Sequence, residues 1–331
     1  MPIKRLHLLI KNMVMSRTMK HIYFLFLLLI LFSNTYSQSE ICSTPLRESL
    51  NKLDEIKINS KWFKAFHVGK DVVAIVEPYN FEEVISYLII GKKKALLFDT
   101  GIGVDSISLI VKQLTNLPII VINSHTHYDH IGGNFEFDNI FALRTNFTIK
   151  HSKEGWNHEA VKHEVTKEAL CLEKLNGFDT ANYSIKPFSI SKYILDGDQI
   201  DLGARKLKII SVPGHTPDAI AILDKNNGYL WTGDTYYEGP IYLFAKETDL
   251  IKYQNSIEKL AKIAPTIYKV FPSHNNPISS PKNLIALKTA FIKVKKGEIK
   301  GIIEIDNTVQ FKFQNFSFKI NKALLDYTKA Y

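Results

Sequence analysis

His125-Thr126-His127-Tyr128-Asp129-His130 is the stretch on which the reading of this chain turns. Three imidazoles and a carboxylate fall within six residues, directly behind the wholly apolar segment 118–122. Such groups are costly to bury unpaired. Neutral imidazole nitrogen and carboxylate oxygen are, however, the usual ligands of zinc. A buried strand ahead of them fixes their positions, and Gly132 and Gly133 just behind let the backbone turn closely around whatever they hold.

Three further segments share this style, each at the end of an apolar run: Val212-Pro213-Gly214-His215, Trp231-Thr232-Gly233-Asp234 and Phe271-Pro272-Ser273-His274. One histidine or aspartate after a strand is ordinarily a turn or cap residue. Four such segments in one chain point to a metal centre. The rest of the chain supplies a frame for them. Strands are expected at 62–68, 72–77, 84–90, 95–98, 118–122, 199–202, 206–212, 219–223, 229–231 and 267–271, dense in β-branched and aromatic residues between Gly and Pro punctuation. Helices are expected at 104–114, where Ile107, Ile110, Val111 and Leu114 keep helical spacing, at 145–175, at 250–263 and at 283–294. A β-hairpin over 301–320 closes the chain. The mixture predicts an α/β (α+β) fold of two packed sheets flanked by helices. With no evident linker inside 45–331, a single domain spanning 38–331 is expected, its core at about 62–275 and a C-terminal helix and hairpin at 281–331.

The order HxHxDH, then H, then D, then H resembles the metallo-β-lactamase superfamily over 62–274. The resemblance implies an αββα sandwich of two mixed sheets with metals at the sheet edge. It also implies that His125, His127 and His215 bind one ion, that Asp129, His130 and His274 bind a second, and that Asp234 bridges them. Asp99, in Phe98-Asp99-Thr100-Gly101, matches the family's early aspartate and is read as steering a ligand histidine; a plain turn aspartate is the alternative. Two zinc ions per chain are the default, with iron or manganese as alternatives in a mixed nitrogen and oxygen site. Two dications, two aspartates and one hydroxide leave the site at net +1. Hydroxide bridging the metals would attack a carbonyl while that positive site stabilises the oxyanion. Asp129 is a candidate for assisting the leaving group.

Family members that cleave β-lactams usually carry cysteine or serine where Asp234 stands. The bridging-aspartate branch contains thioesterases, lactonases and glyoxalase-II-like hydrolases. The expected function is therefore hydrolysis of an ester, thioester or lactone, with a β-lactamase or a non-catalytic metal-binding domain as alternatives. Tyr237, three residues after Asp234, matches the lactonase tyrosine that donates to the substrate carbonyl; Tyr236 is its neighbour and alternative. Only 57 residues follow His274 in the 331-residue chain, too few for the helical glutathione-binding region of glyoxalase II. The aromatics of 131–214, including Phe147 and Trp156, are candidates for an apolar acyl pocket. His151, His158 and His163 lack strand-end context and are expected at the surface.

At the start, Lys4, Arg5, Lys11, Arg17 and Lys20 precede an apolar run over 22–32 and a polar stretch ending at Gln38. This is the layout of a secretory signal peptide over 1–37. The run falls short of the roughly 20 residues a spanning helix needs, so membrane contact is expected only if this segment stays uncleaved. The expected location is periplasmic or secreted. Removing the segment lowers the formal charge from +9 to +4, and no basic stripe interleaved with aromatics remains, so nucleic acid is not an expected partner. Cys42 and Cys171 are the two cysteines. One disulfide or two separate thiols are both compatible with the sequence.

Overall fold

The computed structural model describes residues 40–329; the signal peptide expected over 1–37 lies outside them. From Ile41 onward the described chain is one compact unit. Among the described residues no helix is long and apolar enough to cross a membrane.

The first sheet has eight strands in sequence order: β1 (Asp54–Ile56), β2 (Lys64–Gly69), β3 (Val72–Val76), β4 (Ile85–Ile90), β5 (Ala95–Phe98), β6 (Ile119–Ile122), β7 (Ile140–Leu143) and β8 (Lys192–Ile194). It is antiparallel from β1 to β5 and parallel from β5 to β8. The second sheet is formed by β9 (Gln199–Asp201), β10 (Lys206–Ser211), β11 (Ile220–Asp224), β12 (Tyr229–Gly233) and β14 (Lys269–Pro272), with β12 and β14 parallel. The two sheets face each other across one apolar layer, in which Tyr87, Phe98 and Ile122 meet Ile209, Trp231 and Phe271. Strands such as β3, Val-Val-Ala-Ile-Val and buried throughout, read as continuous apolar runs because both faces are covered.

Helix α1 (Ile107–Leu114) and the segment reaching Ile185 cover the outer face of the first sheet. Helices α2 (Leu250–Ile263) and α3 (Lys282–Lys295) cover the second. Asp249 caps α2, its carboxylate accepting from Ile251 N and Lys252 N at 3.0 and 2.9 Å, which satisfies two of the helix's orphan donors. The layers are therefore helix, sheet, sheet, helix, the αββα order expected.

Two details differ from the sequence reading, and a third settles an alternative it left open. The closing hairpin, β16 (Thr308–Lys312) and β17 (Ser317–Asn321), belongs to a third sheet ordered β13-β17-β16-β15, with β13 (Pro240–Leu243) parallel to β17 and β15 (Ile302–Ile303) at the edge. Residues 145–175 hold two short α-helices, Asn146–Glu154 and His158–Val161, and two 3-10 turns, Lys162–Val165 and Leu172–Lys174, instead of one long helix. Gly155 breaks the helix at φ +63°, pressed against the Ile185 backbone where a side chain has no room, and Asn157 caps the next. Cys42 and Cys171 are joined, with Cα atoms 4.9 Å apart.

Candidate metal centre

The parallel arrangement of β5 with β6 and of β12 with β14 sends four chain segments out of the same end of the sandwich. Asp99 follows β5, the histidine cluster follows β6, Asp234 follows β12 and His274 follows β14; His215 leaves β10 at the same end. The β6 loop is shaped by its own polar residues. Asn123 Nδ2 donates to the His130 carbonyl at 2.7 Å and to Asn134 Oδ1 at 3.0 Å. Thr100 N donates to the same His130 carbonyl at 2.9 Å. Gly132 sits against the backbone of Ile102 and Gly103, where any side chain would collide. These contacts curl the loop so that its side chains converge instead of fanning outward.

Two nitrogen-rich groups result. His125 Nε2 lies 3.0 Å from His127 Nδ1, which lies 3.1 Å from His215 Nε2. His130 Nε2 lies 3.3 Å from His274 Nε2 and 3.0 Å from Asp129 Oδ2. Asp234 reaches both groups, with Oδ1 at 3.1 Å from His274 and 3.3 Å from His130, and Oδ2 at 3.7 Å from His215. Three sets of three ligand atoms, His125–His127–His215, His125–His130–Asp234 and Asp129–His130–His274, each lie within 4.8 Å of one another. All seven expected ligands are thus brought together.

The far nitrogen of each ring decides which lone pair faces inward. His127 Nε2 contacts Glu247 Oε1 at 2.9 Å, His130 Nδ1 contacts Asp99 Oδ2 at 3.0 Å, His215 Nδ1 donates to the Tyr242 carbonyl at 2.8 Å, and His274 Nδ1 donates to the Glu82 carbonyl at 2.7 Å. Each acceptor holds the proton on the outer nitrogen and leaves the inner one free to ligate. His125 Nδ1 meets the Ser124 hydroxyl at 3.0 Å. Asp99 also accepts from Ser124 N at 2.6 Å and from the Ser273 hydroxyl at 2.9 Å. It is fully buried and held at φ +66°, a backbone cost borne by a residue clamping three segments at once.

Electrostatics divides the two groups. Burial, reinforced by the neighbouring imidazoles, holds His125 well below the ordinary histidine range and His215 down to about 4. Burial also pulls on His274, but Asp234 and Asp129 overcome it and push the ring up to about 9. Burial would raise Asp234; His274 and His130 instead hold it far below the ordinary carboxylate range. His125 and His215 are thus kept as neutral nitrogen donors, while in the second group the carboxylates of Asp129 and Asp234 favour a positive charge beside them. Asp234 Oδ1 is buried, has no hydrogen-bond donor and faces the inner nitrogens of His130 and His274, which is where a shared ligand atom belongs. The donor set fits two ions of zinc type.

The cleft over these donors has a volume of about 200 Å3 and is lined by Glu82, Tyr128, Trp156, Tyr242, Phe244 and Glu247 beside the ligands. Trp156 was expected at such a pocket; Tyr242, Phe244, Glu82 and Glu247 were not singled out by sequence. Tyr237 does not line it. Its hydroxyl donates to the Pro240 carbonyl, and Tyr236 bonds Ser279 at 2.9 Å. A substrate-facing hydroxyl expected of Tyr237 is therefore turned elsewhere, because the tight turn into β13 offers it an acceptor three residues on. His151 is a second correction: it is buried, stacked 4.1 Å from the Trp156 ring and edge-on to Phe147 at 4.2 Å. Asp218, also missed, accepts from the Thr126 hydroxyl at 2.7 Å and the Thr148 hydroxyl at 3.1 Å, and so fixes the residue between two ligands.

Residues 80–274 match the sequence profile described as the metallo-beta-lactamase superfamily. The acyl-coenzyme A thioesterase MBLAC2 of Gallus gallus is 25% identical over 235 residues, 65% of this chain and 82% of that protein. A probable metallo-hydrolase of Methanocaldococcus jannaschii is 32% identical over 201 residues, 57% of this chain and 86% of its own. A metallo-beta-lactamase from Pontibacter korlensis superposes with a TM-score of 0.52 at 16% identity, covering 70% of this chain and 99% of its own.

Proposed function

From the membership of this chain in the metallo-beta-lactamase superfamily, which makes it a metal-dependent hydrolase, we propose that it is an exported dinuclear zinc enzyme that cleaves acyl thioesters and esters, lactones included. His125, His127 and His215 would hold one ion, Asp129, His130 and His274 the other, and Asp234 both. Ions bound there supply a hydroxide nucleophile at neutral pH and polarise the scissile carbonyl.

The rest of the chemistry belongs to the protein. Glu247, Asp99 and the carbonyls of Tyr242 and Glu82 orient the rings, so the donors need no rearrangement when the substrate arrives. Trp156, Tyr128, Tyr242 and Phe244 offer apolar walls to an acyl group and exclude water from the carbonyl. Asp129 lines the same cleft; ionised at rest, it would take the proton given up by the attacking water and return it to the departing thiolate or alkoxide. The observation that carries the reading is Asp234, buried, without a hydrogen bond and within reach of both histidine groups. The thioesterase among the relatives supports an acyl thioester as the first substrate to try. A β-lactam fits less well, because the lining of the cleft includes no lysine or arginine to meet its carboxylate. Export is supported by the signal-like start and by the Cys42–Cys171 bridge, a bond suited to an oxidising compartment.

The test is hydrolysis of an acyl thioester, an acyl-homoserine lactone and nitrocefin by the zinc-loaded protein, with metal content measured in parallel. Thioester or lactone turnover with two zinc ions per chain, abolished by a chelator and restored by zinc, is the expected result. Nitrocefin as the best substrate would overturn the acyl assignment, and no turnover by the fully loaded protein would leave a metal-binding domain.

A further inference from the structure

The third sheet ends in an apolar tip. Ile302 and Ile303, on edge strand β15, and Ile305, in the turn to β16, are 60%, 64% and 108% exposed. Single exposed isoleucines are ordinary, but three within four residues on one projecting edge are not. The segment that precedes them in the chain is strongly basic. Residues 282–300, helix α3 and its exit, contain six lysines and a single acid, Glu298. Lys293, Lys296 and Lys300 are exposed; Lys300 lines one cleft with Ile303, and Lys296 lies 4.0 Å from Glu298. The acids of the tip itself are already engaged, since Lys319 pairs with Glu304 at 2.8 Å and with Asp306 at 2.7 Å.

We propose that this tip is a membrane-docking element: the three isoleucines enter the interface of a bilayer rich in anionic lipid, while the lysines of 293–300 contact its headgroups. Charge complementarity selects the occupant. Interfacial anchoring takes buried apolar area together with a basic rim, and a polybasic segment is drawn to an anionic surface within a Debye length. A second copy of this chain would bring lysine against lysine. Strand addition is also poorly served by β15, which offers only two residues of edge. The sequence reading confined membrane contact to the N-terminal segment; the folded surface adds a second, separate route. Its place in the fold gives it a use. In the order β13-β17-β16-β15, the tip lies three strands, about 15 Å at about 4.8 Å each, from the strand that carries Tyr242 at the cleft. A bilayer held there would bring acyl chains alongside the site.

The measurement should report on the tip itself, because the apolar run over 22–32 can bind lipid on its own account. With Cys42 and Cys171 bridged, an Ile303→Cys chain offers one thiol for a polarity-sensitive fluorophore. The label should shift to the blue with vesicles of phosphatidylcholine and phosphatidylglycerol, and much less with phosphatidylcholine alone. Reversing Lys293, Lys296 and Lys300 to glutamate should weaken the response about tenfold or more, and thioester turnover in solution should be unchanged. No shift with either vesicle overturns the proposal, as does an equal shift with both. A shift that needs no lipid and grows with protein concentration, with dimers in sedimentation, assigns the tip to a second copy and also overturns it.

Discussion

At one end of the sandwich β6, β10, β12 and β14 run out into loops that hold seven ionisable groups with converging lone pairs. At the other end the turns of the same two sheets are closed by one buried pair. Arg205, after β9, donates from Nε to Asp224 Oδ2 at 2.8 Å and from Nη1 to the carbonyls of Asp71 and Ile90 at 2.9 and 3.1 Å. Asp224 in turn accepts from Asn227 Nδ2 at 2.7 Å. The closed end bounds the larger cleft, about 540 Å3 against about 200 Å3 over the histidines. It nevertheless contributes no residue to the ligand groups found among the described residues. Size does not mark the candidate metal end; the convergence of ring nitrogens and carboxylates does. The closed end pairs Arg205 with Asp224 and with backbone carbonyls, Arg205 Nη2 alone being left over, and the open end turns the lone pairs of seven side chains towards one another.

The comparison breaks first at Asp234. Its replacement by alanine should cut thioester hydrolysis about a thousandfold, roughly 4 kcal/mol of transition-state stabilisation, and lower bound zinc as well. Unfolding by urea, followed on metal-free protein at neutral pH, should shift modestly towards lower stability, since the carboxylate that His274 and His130 hold ionised is gone. Full zinc content in Asp234→Ala would remove the bridging role.

The opposite end should answer in the opposite currency. Arg205→Met leaves Asp224 buried without its cation and removes the guanidinium bonds to the Asp71 and Ile90 carbonyls, a loss of about 3–5 kcal/mol in stability. The folded fraction should hydrolyse substrate at the unaltered kcat. Urea midpoints read with kcat at saturating zinc separate the two effects, and a fall in kcat would show that the ends are coupled.

Asp99→Asn sharpens the contrast from within the open end. The amide has one acceptor where the carboxylate has two, so it sets an N–H against either Ser124 N or the His130 and Ser273 pair, and the clamp that orients the His130 ring is lost. Zinc affinity should fall about 10–100-fold, read by competition with a chromophoric chelator. Unchanged affinity would reduce Asp99 to a turn residue.

These partners explain why part of the molecule was legible in sequence and part was not. The ligands announce themselves locally: a strand that needs burial, then histidine or aspartate where the strand stops. The αββα layering follows from the same apolar runs. What holds the ligands is remote. Glu247 is 120 residues from His127, and Asp218 is 92 residues from Thr126. Neither stands in a pattern that periodicity or spacing could single out. His151 was misplaced for the same reason, as burial against Trp156 depends on a chain path that Gly155 redirects. β7, β8 and β13 were missed because strands of three or four half-exposed residues carry too little alternation to register.

Tyr237 offers the smallest and most diagnostic effect. Position after Asp234 marks it as an oxyanion donor, and the fold gives its hydroxyl to the Pro240 carbonyl instead. The ring packs 4.9 Å from His274, so phenylalanine keeps that contact and loses only one hydrogen bond, about 1 kcal/mol of stability. Tyr237→Phe should therefore turn over a thioester with kcat within about twofold of the parent, a barrier change of roughly 0.4 kcal/mol. Tyr242→Phe changes a residue that does line the cleft, and keeps the backbone carbonyl that holds His215, so any effect there is on substrate and not on zinc. A tenfold or greater fall in kcat for Tyr237→Phe, with zinc content intact, would mean that the hydroxyl leaves Pro240 when substrate binds. The turn into β13 would then belong to the open, reactive end of the molecule and not to its scaffold.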